Sequence, residues 1–320
     1  MNNDELQASL ISQLFESLGG TSVTSVSGGK SSAYMALNYP TDYYVFSVVL
    51  TRDPACRITD KGLLQAVRQK VPQFEGSREL DQTLVNVLRL EQEIGREIVW
   101  VYGPTFEDVI LQQNSLPNPR QRFCTSYLKV LPIWYWCYTT VLNPVLDHAG
   151  DIVEVTPCKM HIGYRYDEKP RVYKGLGAVL VDGVLDWSSA GSCEVMNLAS
   201  LRCDIAGKYR GKHRRLRPLE WRYQLYPMWH DYIERQDVVS FWNKKGWVFP
   251  EVSNCDYCFF HRSAEQKYQY SKNPERAEWW MFHEHMLGHT FRKESSLSDL
   301  LKANDNDDDS DTVEGHCCGS

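Results

Sequence analysis

The sequence predicts an α/β fold built on a parallel sheet, and two observations carry that prediction. Short runs rich in Val, Ile, Tyr and Phe recur at residues 21–26, 43–50 and 98–102, and stretches of helical periodicity separate them. Each passage from strand through helix to strand is then a right-handed crossover. Such crossovers lay the strands parallel and put ligand sites beyond their carboxyl ends.

The elements follow in order. Residues 4–18 read as a short amphipathic helix with Leu10, Ile11, Leu14 and Phe15 on its apolar side, ended by Gly19-Gly20. Residues 21–26 alternate β-branched and small side chains, as a strand does, and 33–37 are built largely from helix formers. The run 43–50 is almost continuously apolar, the mark of a strand covered on both faces. Thr59 opens a helix carrying Leu63, Leu64 and Val67. A further helical stretch from about Arg78 carries Leu84, Val87 and Ile94 and stops at Gly95. Residues 98–102 form the third strand, and Thr105 with Asp108 opens another helix through a capping-box pattern. Residues 152–155 and 160–162 read as strands, and 179–185 as a hairpin turning on Asp182-Gly183. Residues 227–245 form one helical pattern, and Asn273-Pro274-Glu275 starts another. The expected organisation is an α/β domain over 1–235, a helical C-terminal region with cysteines over 236–300, and a disordered acidic tail over 301–320.

With 320 residues and a formal charge of −6, the chain can bury a full core and does not present a uniformly basic coat. A local basic patch stays open: Lys208, Arg210, Lys212, Arg214, Arg215 and Arg217 precede Trp221, Arg222 and Tyr223. Charges for phosphates with rings for bases suit a polyanion, and a solvated loop is the equal alternative. No apolar stretch is long enough to cross a bilayer, and the first residues lack the basic and apolar regions of a signal peptide. A cytoplasmic protein is expected, and in a reducing compartment its ten cysteines suit metal or redox chemistry better than disulfides.

Three stretches carry chemistry. Ser27-Gly28-Gly29-Lys30-Ser31-Ser32 lies between the first strand and its helix. Glycines allow close backbone approach, hydroxyls donate, Lys30 adds a charge, and the helix start turns free N–H groups toward an anion. Cys124 follows Arg122 at a helix start with Lys129 near, surroundings that favour thiolate. Cys255 and Cys258 form a CxxC, a spacing at which one turn of backbone presents two sulfurs to one metal, and His261 follows. Cys56, Cys137, Cys158, Cys193 and Cys203 stand alone and read as buried small side chains, and His283, His285 and His289 as packed or exposed.

These motifs together resemble the PAPS reductase family of PP-loop proteins. The loop resembles SGGxDS, with Ser31 in place of the Asp. It is followed in family order by Arg122–Pro132 (RxCTxxLKxxP), by Gly163-Tyr164-Arg165 with Glu168 and Arg171, by Pro218-Leu219-Glu220-Trp221, and by the CxxC. The resemblance implies an adenine nucleotide α-hydrolase fold of HUP type, with Gly163, Arg165 and Arg171 beside the nucleotide that Ser27 to Ser32 hold. It implies ATP binding, then adenylation and thiolation of a nucleic acid or nucleotide-derived substrate, with Lys30 and Cys124 in catalytic roles. A [4Fe-4S] cluster on Cys124, Cys255 and Cys258, with Cys203 as a further candidate ligand, belongs to this implication, as does a cysteine desulfurase as sulfur source. The alternative within the family is a PAPS or adenylylsulfate reductase. It would use Cys317 or Cys318 as the nucleophile, with thioredoxin as electron partner. A reading from another class is a silent nucleotide-binding module with structural zinc on Cys255, Cys258 and His261.

Overall fold

The computed structural model describes residues 2–146, 148, 152–182, 184–187, 194–196, 219–250, 255–292 and 295–303. Its centre is a six-stranded sheet made of β1 (Ser22–Val26), β2 (Tyr43–Val48), β3 (Ile98–Tyr102), β4 (Cys158–His161), β5 (Glu194–Met196) and β6 (Leu219–Leu225). The spatial order is β3-β2-β1-β4-β6-β5. Five strands run parallel, and β5 joins the edge antiparallel to β6. The chain builds outward from β1 through β2 to β3, then returns to place β4 on the other side of β1. That reversal opens a crevice beyond the carboxyl ends of β1 and β4, where an open α/β sheet binds its ligand.

Helices cover both faces, which is why β2 is apolar almost throughout. Val45 and Val49 pack on one side with Ile11 and Phe15 of α1 (Asn3–Ser17). On that side lie also Val109 and Ile110 of α5 (Phe106–Gln113) and Ile133 and Trp134 of α6 (Leu131–Thr140). Tyr44, Phe46 and Val48 point the other way. They meet Met35 of α2 (Lys30–Asn38), Val67 of α3 (Lys61–Lys70), Leu84 and Val87 of α4 (Asp81–Ile94), and Trp242. The first helix is closed by a capping box in which Asn2 Oδ1 accepts from Glu5 N at 2.8 Å and Glu5 Oε2 from Asn2 N at 3.0 Å. After β4 come α7 (Lys169–Gly175), α8 (Arg235–Lys245), α9 (Ser263–Lys272), α10 (Pro274–Leu287) and α11 (Leu297–Lys302). Among the described residues no helix is long and apolar enough to cross a membrane.

Several elements differ from the sequence expectation. Leu10 and Leu14 of α1 face solvent, and Ala8, Ile11 and Phe15 form its buried side. Asp60, not Thr59, caps α3, its carboxylate accepting from Leu63 N at 2.7 Å. Helix α4 starts at Asp81, because Ser77 to Glu79 are drawn into extended pairing with Leu50 and Cys255. The strand Ile152–Glu154 pairs with Val145–Leu146 in a separate ribbon. The pattern over 227–245 breaks in two, Pro227–His230 and α8, because Tyr232 takes a left-handed φ of 56°. Asn273 sits at the start of α10 without a side-chain capping bond. Trp221 and Arg222 belong to β6 and are buried, so they cannot stack or pair with a polyanion. The basic residues 208–217 lie outside the described residues, as do Cys193, Cys203, Cys317, Cys318 and the acidic run. The hairpin holds: Val179–Val181 pairs with Val184–Asp186, and Asp182 has φ 48°.

Two stability outcomes follow. Phe46→Ala removes a ring that is 1 % exposed and packed edge-on against Trp100, and should cost about 3–5 kcal/mol in urea unfolding. Leu10→Gln, at a 53 % exposed site, should stay within about 0.5 kcal/mol of the parent. His161 ends β4, and burial with the charge of Lys159 lowers its pKa from 6.5 to about 4. The unfolded chain therefore binds this proton first. Stability should fall as pH drops from 6.5 toward 4, and His161→Gln should flatten the fall in denaturation midpoints over that range.

Candidate functional site

The glycine loop Ser27–Ser32 follows β1 directly. Gly28 has φ +75°, and a Cβ there would lie 2.5 Å from Thr83 Cγ2 and 3.3 Å from Val87 Cγ2. The position thus requires glycine on two counts, and its contacts press the loop onto α4. Gly29 is the N-cap of α2, so the N–H groups of Lys30, Ser31 and Ser32 form the first turn of the helix and lack carbonyls behind them. The hydroxyl of Ser32 ties the loop to itself: it accepts from Ser27 N at 3.1 Å and Ser27 Oγ at 2.9 Å, and donates to the Gly29 carbonyl at 3.2 Å. Trp242 of α8 reaches across and donates its Nε1–H to the Lys30 carbonyl at 2.9 Å. The Lys30 side chain is exposed at the mouth of the crevice.

The second wall of the crevice follows β4. A Cβ on Gly163 would meet Ser32 Cα at 2.9 Å and Ser32 N at 3.0 Å, so this glycine lets the two loops touch. Arg165 reaches the glycine loop and donates from Nη1 to Ser31 Oγ at 2.8 Å. Its guanidinium also meets Asp167 at 3.0 Å and Glu168 at 3.2 Å. Burial raises the Asp167 pKa, but the hydrogen bond and charge of Arg165 outweigh it and hold the carboxyl below its ordinary value. Arg171 pairs with the other oxygen of Glu168 and stacks 4.0 Å over Tyr164, which also stacks on Tyr226 at 5.4 Å. The expected set therefore converges at Ser27 to Ser32, Gly163 and Arg165, and Arg171 stands behind them as a support for Glu168.

The cysteines gather at the same edge of the sheet. Cys124 lies in the turn Phe123–Thr125, which runs into a π-helical segment Ser126–Val130 and on into α6. Cys255 pairs antiparallel with Glu79, and Asp256 N donates to the Arg78 carbonyl at 2.9 Å. Tyr257 takes a left-handed φ of 44°, its N–H donates to Gln269 Oε1 at 2.7 Å, and Gln266 Nε2 donates to the Cys258 carbonyl at 3.1 Å. The CxxC loop is thus clamped between the Ser77–Glu79 segment and α9. Cys124, Cys255 and Cys258 all line one small cavity, partly open to solvent. Val49, just past β2, and Phe106, at the start of α5, line it too, which places it beyond the carboxyl ends of β2 and β3.

Around this cavity stands a charged network that sequence periodicity did not reveal. Arg78 is 1 % exposed, bonds Asp53 at 2.9 Å and Asp256 at 3.4 Å, and lies 3.8 Å from the Trp279 ring. Arg276 adds a contact to Asp256 at 3.5 Å and to Asp81 at 3.7 Å. Lys129, in the π-helical segment, faces the buried Glu79 at 3.7 Å. Burial pushes the Glu79 carboxyl up, against the pull of Lys129 and of its bonds to Ser77 and Val49. Cys56 donates to Asp53 and Asp256 at 3.7 Å, and burial, then the Asp256 charge, raises its thiol. The one usable signal for this network was the RxCTxxLK spacing that set Lys129 near Cys124. His261 does not line the cavity. His283 packs on Trp279, and His285 and His289 are exposed.

No protein-family model and no curated protein matches the chain.

The geometry sets two outcomes for nucleotide binding measured by calorimetry. Lys30→Ala, which removes a charged donor, should weaken ATP or sulfonucleotide binding about ten- to hundredfold. Gly163→Ala should weaken it at least about tenfold while leaving Lys30 in place, because the added Cβ pushes on the backbone of Ser32. Unchanged affinity in both would remove the phosphate site.

Proposed function

We propose that the chain is a PP-loop enzyme of the PAPS reductase type, with a HUP-like nucleotide domain, that transfers sulfur. It binds ATP or a sulfonucleotide on Ser27 to Ser32 and acts on a nucleic acid or nucleotide-derived substrate. One observation carries the reading: Cys124 and the distant CxxC pair Cys255 and Cys258 line a single cavity at the carboxyl end of the sheet that also bears the glycine loop. Strands β1 and β2 are neighbours, so the two features stand within a few strand spacings of about 4.8 Å.

Each residue of the loop has a task. The first-turn N–H groups of α2 and the Lys30 ammonium bind the terminal phosphates and stabilise charge growing on pyrophosphate as it departs. An oxygen of the substrate attacks the α-phosphorus; the new P–O bond forms as the bond to pyrophosphate breaks, leaving an adenylated oxygen. AMP then departs when sulfur attacks the activated carbon, taking the C–O bonding pair with it. Arg165, freed from Ser31, offers a planar fork to phosphate oxygens, and Asp167 and Glu168 hold it aimed there.

The donor set suits an iron–sulfur cluster. Thiolates are its usual ligands, and Cys124, Cys255 and Cys258 would hold it at the cavity. Among the described residues no three His, Cys, Asp or Glu side chains stand together as a metal-ion site, so metal analysis decides between the cluster and the zinc on Cys255, Cys258 and His261. Such a cluster supplies redox and sulfur-binding chemistry when present.

Anaerobic purification should give iron and acid-labile sulfide in equal amounts, with broad visible absorption that Cys258→Ser diminishes. Stoichiometric zinc without iron would replace this reading with the structural-metal one. ATP with an acceptor should release pyrophosphate, and removing residues 301–320 should leave that turnover largely intact. Sulfite release from PAPS or adenylylsulfate with thioredoxin, lost on the same truncation, would select the reductase instead.

A further inference from the structure

Several arginines around the crevice are paired with carboxylates: Arg52 with Asp108, Arg165 with Asp167, and Arg171 with Glu168. Two segments at the mouth of the cysteine cavity differ. Residues 117–128 hold Arg120 and Arg122 and no Asp or Glu. In residues 255–264 the one carboxylate, Asp256, is buried against Arg78, while Arg262 faces solvent. Arg120 is exposed too, and among the described residues neither it nor Arg262 has a carboxylate within ion-pair distance. The two segments meet. Arg122 lies 4.9 Å over the Phe260 ring, and its Nη2 donates at 3.4 Å to the hydroxyl of Thr125, which lines the cavity. Arg292 Nη1 donates to the His261 carbonyl at 2.8 Å and brings a fourth guanidinium to the same rim. Arg120 stands in a turn fixed by Asn118, whose Oδ1 accepts from Arg120 N and Gln121 N at 3.0 Å each. Glu265 follows Arg262 by three residues and is held at the start of α9, accepting from Arg262 N at 2.8 Å. Cys124, Thr125 and Cys255 are half-buried, so the cavity reaches the surface where these arginines stand. On a chain of net charge −6 such a rim is a local attraction and not part of a general coat.

We infer that this arginine rim is the docking surface for a single-stranded nucleic acid, held by its phosphates with the reacting nucleotide at the cavity mouth. The inference rests on the proposed sulfur transfer and selects its acceptor, a polynucleotide and not a nucleotide-sized molecule. Guanidinium forks match phosphate oxygens, and forks on two adjoining loops suit a backbone that carries one phosphate after another. The cavity is small, so it meets one nucleotide at a time, and a base inside a duplex is stacked away from it. The surface lies outside the cavity and leaves that space to the cysteines.

The test is fluorescence anisotropy of the full chain, purified anaerobically, with a labelled single-stranded oligonucleotide of mixed sequence over a range of salt. The parent should bind it, and the logarithm of its affinity should fall linearly with that of the salt concentration. Arg120→Ala combined with Arg262→Ala should weaken binding about tenfold. It should also reduce the salt slope by about 1.4, since each phosphate contact to a single strand contributes about 0.7. Both side chains are exposed, so the melting temperature should stay near the parent value. Lys244→Ala, which removes an exposed charge from α8, should leave the affinity within about twofold. Absence of binding, or a parental salt slope in the double variant, overturns the inference. So does equal affinity for a blunt duplex, or equal competition by polyglutamate. The two claims fail separately. Pyrophosphate release with a mononucleotide acceptor and no oligonucleotide binding rejects this surface and keeps the transfer reading. Arginine-dependent oligonucleotide binding without pyrophosphate release supports the surface and rejects that reading.

Discussion

Arg78 lies buried between Asp53, Asp256 and the Trp279 ring, and through these contacts it joins four parts of the chain. Asp53 follows β2, Arg78 precedes α4, Asp256 sits inside the CxxC and Trp279 lies in α10. Desolvation opposes the charged guanidinium, but the fields of Asp256, Cys56 and Asp53 more than restore it, so its proton is held more tightly than usual. Such a group adds little net stability, because removing the ions from water costs nearly what their attraction returns. Its effect is on specificity. Loss of one partner from a buried set leaves an uncompensated charge at about 3–5 kcal/mol, so the CxxC loop has one acceptable place against the sheet. Trp280 Nε1, donating to Asp256 at 3.2 Å, and Arg276, donating to the Ala55 carbonyl at 3.2 Å, hold the same arrangement from α10.

A second constraint is steric. The glycine loop is pressed between α4 and the Gly163 turn at distances that admit no Cβ at Gly28 or Gly163. The loop therefore cannot shift without moving α4, whose preceding residues are Arg78 and Glu79. Nine residues after Arg78, Val87 is still in contact range of Gly28. The wall of the cysteine cavity and the support of the glycine loop are consecutive stretches of one segment.

Much of this could be read from sequence where the local pattern and the tertiary demand agree. β2 is apolar almost throughout because it is covered on both sides, and Gly95, Gly246 and Gly288 end helices because each takes a left-handed φ. Thr105 and Asp108 form the capping box their spacing predicts. The reading failed where a distant partner overrode the pattern. Ser77 to Glu79 have the composition of a helix start, yet pairing with Leu50 and Cys255 extends them. Leu10 and Leu14 carry the apolar character of a core face, yet the sheet takes the neighbouring face through Ile11 and Phe15. Trp221 and Arg222 look like a nucleic-acid surface in a basic run, and only their register beside Cys158 shows that they are core. The π-helical turn at Ser126–Val130 has no sequence signature. It widens the helix where Lys129 must turn inward to Glu79.

The two candidate sites differ in how they treat charge, and the difference follows from their place on the sheet. At the end of β1 the loop offers the first-turn N–H groups of α2, the half-buried hydroxyl of Ser31 and an exposed Lys30. At the ends of β2 and β3 the charges are buried and committed to carboxylate partners. Neutralisation there is built in before any ligand arrives. Under the proposed function the glycine loop would hold the departing phosphates where the exposed Lys30 meets water, and the three cysteines would act from a cavity lined by Val49, Phe106, Leu128, Phe259 and Trp280 at the ends of the neighbouring strands.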